Sequence, residues 1–252
     1  MGGNMKIGVE KKEQSFSILE KIYNDIPRTK GCEKANSKNG CKAWCCLYES
    51  PSMFTCEFTY LWEKFEKKHS KDDQIKIVVE AVKNYLRSNM TKGCVFLDKE
   101  KSICLCHAGR CLSCRLYGIV SPKSWKKRKK SIREQSLHFD KSDKEYLFIV
   151  LDQCQLVKTI DGRKNVIPRK EQEWFEKTKE AENKFGIPLQ VINQHDAPEG
   201  SYRSVHDHIM LNIFPEKYLL SLSQIRMNRL PEEEIEKFAN SVRQNLEDVI
   251  SV

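Results

Sequence analysis

The chain has 252 residues, 39% hydrophobic and 31% charged, which allows one large domain or two small ones around a modest core. Lys and Arg number 44 against 35 Asp and Glu, a net charge of +9. This mild bias excludes a histone-like tail and admits an acidic protein partner, an anionic substrate or RNA. No segment reaches the roughly 20 apolar residues of a membrane-spanning helix, so a membrane span is excluded.

The first residues carry no apolar core of a secretory signal. Gly2 is followed at position 6 by Lys, where myristoylation wants Ser or Thr. The expected compartment is the reducing cytoplasm. Residues 12–26 read as a helix, with Phe16, Ile18, Leu19, Ile22 and Tyr23 at helical spacing and Pro27 ending the pattern. Residues 29–52 read as a loop rich in Gly, Asn, Ser, Lys and Cys. A helix returns over 55–69 through Phe58, Leu61, Trp62 and Phe65. Another spans 72–90, where Asp72 and Asp73 suit the helix dipole and Ile75, Val78, Ala81, Val82 and Tyr85 make a stripe. Residues 92–118 form a second cysteine-bearing loop.

The segment 122–133 holds Lys123, Lys126, Lys127, Arg128, Lys129, Lys130 and Arg133 around Trp125, with no acid. It is either a solvated helix face or a landing site for a phosphate backbone or an acidic partner. Residues 145–157 are a strand or a buried helix; so short an apolar run does not decide. Pro168 and Gly186 bracket a helix over 168–185. Two short helices flank Pro215 within 205–228, and a helix over 231–250 has Ile235, Phe238, Val242 and Leu246 on one face. The expected fold is mainly α: helices interleaved with two irregular metal-binding cysteine loops, then a helical C-terminal half. Residues 1–120 would form a metal-binding region and 121–252 a helical region packed on it, or both one domain, any boundary falling near 118–145.

Ten of the 11 cysteines lie between Cys32 and Cys114. Cys32, Cys41, Cys45, Cys46 and Cys56 form one group; Cys94, Cys104, Cys106, Cys111 and Cys114 form the other. Disulfides need an oxidising compartment, so the density points to metal. Long structureless loops also need something to offset their ordering entropy, and metal–thiolate bonds provide it. Cys41/Cys45 and Cys111/Cys114 could supply one zinc, but Cys46, Cys94, Cys104 and Cys106 are then surplus. Two iron–sulfur cubanes, or one and a zinc, would use more of them. The neighbours Cys45 and Cys46 should diverge and serve different irons, or one be a ligand and the other buried. Cys56 and Cys154 read as small core hydrophobes.

The run Gly93-Cys94-Val95-Phe96-Leu97-Asp98, then Cys104, Arg110 and Cys114-Arg115, resembles the YkgJ-type cysteine-cluster family, a zinc- or iron-chelating domain. The likeness covers roughly residues 32–118. The upstream Cys41-x3-Cys45-Cys46 is one residue longer than the family's pattern; Cys111 stands where a proline is usual, and Cys106-His107 where Ile-Tyr is usual. The resemblance implies Cys41, Cys45, Cys46, Cys94, Cys104 and Cys114 as ligands; spacing adds Cys32, Cys106 and Cys111. Arg110 and Arg115 would offset the negative charge of a thiolate-bound cluster and raise its potential.

His195, His206 and His208 have Asp neighbours, a set that can build a non-haem iron or zinc site; on a helix residues two apart face different directions, on a strand they share a face. Capping and surface roles are expected for them, with a pocket facing the cysteines as the sharper alternative. Phosphate-loop, dinucleotide, nucleophile-elbow, zincin and radical-SAM motifs are absent, so no catalytic residue is assigned. Three readings follow. The first is an iron–sulfur protein for electron transfer or cluster-dependent modification, an oxidoreductase in the enzymatic case. The second is a zinc-stabilised module contacting RNA or an acidic protein through 122–133. The third is a carrier that passes metal to a client.

Overall fold

In the computed structural model the described residues are 8–30, 43–48, 50–87, 93–135, 157–161, 166–186, 202–214, 218–219, 221–222 and 230–250. Helix α1, Val9–Asp25, begins three residues before the predicted start and buries Leu19, Ile22 and Tyr23. Strand β1 is Thr29–Lys30, α2 is Trp44–Tyr48 and β2 is Ser52–Met53. Helix α3 spans Thr55–Glu66 and α4 Lys71–Leu86, where Ser70 and Asp73 cap the first turn reciprocally. Then follow β3 Leu97–Asp98, β4 Ile103–Cys104, a 3-10 turn at His107–Gly109, α5 Leu112–Leu116 and α6 Pro122–Gln135. Beyond lie β5 Lys158–Thr159, α7 Pro168–Phe185, β6 Arg203–Ser204, α8 Val205–Ile213 and α9 Glu232–Ile250.

The protein is mainly helical. Helix α7 keeps its predicted bounds, because Pro168 fits the first turn and Gly186 adopts φ +79°, a left-handed stop. The strands are only two residues long and pair antiparallel as β1–β5, β2–β6 and β3–β4.

The second cysteine segment is more ordered than expected. Residues 92–118 are no irregular loop where they are described: a hairpin, a 3-10 turn and α5 follow one another there. Residues 31–42, with Cys32 and Cys41, lie outside the described residues, as do 145–156 with Cys154, and His195.

Two cores join early and late parts of the chain. In one, Leu19 and Ile22 of α1 meet Trp174, Ala181 and Phe185 of α7, with Leu112 and Leu116 of α5. In the other, Phe58, Leu61 and Phe65 of α3 meet Val78 and Val82 of α4, Ile209 and Met210 of α8, and Ala239 and Val242 of α9.

The histidines of α8 correct the surface expectation. His206 and His208 do leave the helix in different directions, but both directions are core, and the two are 2% and 1% exposed. The cause is the seat of α8 against α3 and α4. His206 Nε2 lies 3.4 Å from Asn84 Nδ2. His208 stacks on Phe58 at 5.0 Å and places Nε2 2.8 Å from the Met53 carbonyl, which can only accept, so the ring donates there. Ser204 caps α8, and Asp207 of its first turn reaches back to the Ser204 N–H.

Burial pushes the His208 imidazole below its ordinary 6.5. The unfolded chain therefore binds the proton first. The histidine's contribution is complete above about pH 6.5 and is lost as pH falls from there toward the folded-state value, at about 1.4 kcal/mol per pH unit. Urea unfolding at stepped pH should show this slope in the native protein. His208→Gln keeps a donor for Met53 without a titrating ring, and its curve should be flatter; equal slopes would refute the assignment.

Candidate metal centre

Cys45 and Cys46 sit on α2, which Ala43 starts from a positive φ of 54°. Its carbonyl accepts from the backbone N–H of both Cys46 and Leu47, each at 2.9 Å. The two sulfurs do not diverge as expected: they lie 3.8 Å apart. A single short turn, with no following helix to impose regular side-chain directions, permits this.

Gly93 brings the second cysteine segment onto the first. A Cβ there would lie 2.6 Å from the Leu47 carbonyl oxygen, a contact no side-chain-bearing residue tolerates. The close approach lets Cys94 N–H donate to the Cys46 carbonyl at 2.7 Å. The hairpin β3–β4 pairs Leu97 with Cys104 and so fixes the latter. Cys111 precedes α5, Cys114 lies within it, and the Sγ of Cys111 is 3.1 Å from Ser113 Oγ. Ser113 in turn donates to the Ser52 carbonyl at 3.0 Å.

A buried carboxylate holds α5 in place. Glu57, 1% exposed, accepts from Leu112 N–H at 2.7 Å, Tyr23 O–H at 2.9 Å and Phe54 N–H at 3.1 Å. Burial raises its pKa above 4.5, and these three donors oppose the rise. Glu182 of α7 does similar work at the start of α3, accepting from Thr55 and Cys56 N–H at 3.2 and 2.7 Å. Sequence reading missed both. Glu57 stands in the run Cys56-Glu57-Phe58, a weak signal of burial that a surface helix would also show.

Six thiols are thereby gathered: Cys45, Cys46, Cys94, Cys104, Cys111 and Cys114. All are free. Cys45/Cys46 and Cys111/Cys114 are close pairs, and Cys94 and Cys104 each feel the charge of Cys45 and of Cys111. Burial pushes the thiols of Cys94 and Cys104 up. Contact with Cys45 does so for Cys46, and Cys114 is raised by its hydrogen bond to Cys111, which is lowered by the same bond. Unaided, such a set holds its protons, because thiolates this close repel one another. Thiols are the donor type that a soft cation takes in place of protons. Among the described residues no three His, Cys, Asp or Glu side chains converge as one ion's ligands.

Three further expected participants also make contacts of their own. Cys106 is 3% exposed and turns its thiol to the Leu61 carbonyl at 3.1 Å; burial pushes its pKa to about 12. Arg110 donates to the His107 carbonyl, and its charge favours the thiolate of Cys104. Arg115 donates to the carbonyls of Arg110 and Ala108 and lies 4.1 Å over the Tyr23 ring. It braces the loop that carries Cys106 and Cys111. Cys56 is wholly buried in the core, as expected.

No family model, curated protein or solved structure matches the chain. The resemblance to the YkgJ type rests on the motif residues themselves.

Proposed function

We propose that this is a metal–thiolate protein, best read as an iron–sulfur protein of the YkgJ type that transfers electrons or modifies a substrate. The observation that carries the reading is the gathering of six free thiols from separate backbone segments into mutual electrostatic reach. Those six would hold the group; Cys32 and Cys41 are candidates outside the described residues. A bound cluster supplies one-electron chemistry. Cys94 and Cys111 are buried, the other four thiols are partly exposed, and Arg110 adds positive charge beside Cys104. Exposed Lys123, Lys126, Lys127 and Lys130 on α6 suit an acidic redox partner. A reducing cytoplasm would keep the thiols free.

A second reading has its own observation. The 3.8 Å between Cys45 and Cys46 matches the edge of a zinc tetrahedron with bonds of about 2.3 Å. In that case the protein is a zinc-stabilised module, and the same lysines face RNA or an acidic protein. Anaerobic purification with iron, sulfide and zinc analysis separates the two. The expected result is a brown protein with about four or eight irons and matching sulfide. Zinc alone, without a visible band, replaces the first reading with the second.

A further inference from the structure

A cavity of about 330 Å³ opens between α5, α6 and α7 on the flank of the thiol site. Small-molecule sites begin at roughly this size. Three of its walls are aromatic: Tyr117, Phe175 and Tyr202. The rings of Phe175 and Tyr202 meet edge-on, 5.8 Å apart at 75°. Arg128 stands on the wall. Its neighbours Lys126, Lys127 and Lys130 point to solvent, whereas Arg128 turns inward, 5.4 Å from the Trp125 ring. Arg128 is half-buried, and that burial lowers its pKa. Glu171, also on the wall, is engaged by the Ser121 N–H. Ser113 also lines the cavity, and its hydroxyl contacts the buried Cys111. The Tyr202 phenol feels the charge of Arg128 and also of Cys111 and Cys114.

We propose that this cavity binds a small aromatic carboxylate, its carboxylate on Arg128, its ring among the aromatic walls and its far end toward Ser113. The planar fork of arginine, with its several N–H donors, matches a carboxylate. Aromatic walls give a ring-bearing acid an advantage over free phosphate. The inference adds a substrate class to the metal–thiolate reading and rests on it only for what is done to the bound molecule.

The full chain, purified anaerobically, would be titrated by calorimetry with phenylacetate, 2-phenylethanol and inorganic phosphate. Phenylacetate should saturate one site and bind at least about ten-fold tighter than either other probe, the worth of a charge-assisted hydrogen bond. Arg128→Met should weaken it by a similar factor. Gln172→Trp, at an exposed position on the cavity wall, should abolish binding while leaving the circular dichroism unchanged. Phenylacetate binding no tighter than 2-phenylethanol, tighter binding of phosphate, or indifference to both substitutions would overturn the proposal. Iron, sulfide and zinc are counted in the same sample. Arg128-dependent binding without metal leaves the cavity standing and removes the metal reading; metal without binding does the reverse.

Discussion

Replacing Glu57 by alanine should cost about 3–5 kcal/mol of folding stability and strip the protein of bound metal. One carboxylate serves donors from three elements: Tyr23 of α1, the Phe54 N–H that opens α3, and the Leu112 N–H that opens α5. Alanine leaves all three donors buried without an acceptor, and each orphan costs about 1–3 kcal/mol. The loss spreads to the metal centre because α5 carries Cys114 and follows Cys111. Glu57→Gln is the finer instrument. Its oxygen can still accept from Leu112 and Tyr23, while its NH₂ faces the Phe54 N–H. That variant should lose about 1–2 kcal/mol, one buried contact, and keep its metal. Urea midpoints and metal content would be measured on both. An alanine variant within about 1 kcal/mol of the native protein would show that Glu57 is not the hub.

The helices were legible because their signals are local. Pro168 and Gly186 mark both ends of α7 without help from the rest of the chain. The stripe through Ile75, Val78 and Val82 does become the buried face of α4. The density of cysteines was legible too, although the hairpin that fixes Cys104 was not. What stayed hidden depends on partners distant in sequence. Glu57 meets Leu112 across 55 positions and Glu182 meets Cys56 across 126, and nothing local marks either carboxylate as internal. The histidines of α8 show the same limit from the other side. Their spacing gave the right divergence, but whether each direction met water or core depended on where α3 and α4 would pack. Cys45 and Cys46 fail for a different reason: the rule that neighbours diverge holds for regular backbone, and α2 is one turn entered from a left-handed residue.

The cysteines should divide into two classes when substituted. Cys111→Ser with Cys114→Ser removes one close pair and should abolish metal binding. The consequence for stability is large, because metal–thiolate bonding in small sites contributes on the order of 10 kcal/mol. Even half of that, in a chain of this length, lowers the melting temperature by roughly 10 °C or more. Cys106→Ala should behave differently although it sits in the same stretch of sequence. Its thiol already donates to the Leu61 carbonyl, and Gly109 packs so tightly on it that a Cβ there would lie 2.8 Å from the sulfur. A thiol held this way is a core donor, so the variant should keep its full metal content and lose about 1–2 kcal/mol from the orphaned carbonyl and the small cavity. Cys56→Ala, in the other core, should match it. Metal analysis beside thermal unfolding distinguishes the classes. If Cys106→Ala empties the site as the double variant does, then Cys106 must turn away from Leu61 when metal binds and belongs among the ligands. If the double variant keeps its metal, the gathered thiols are not the centre, and the weight passes to Cys32 and Cys41.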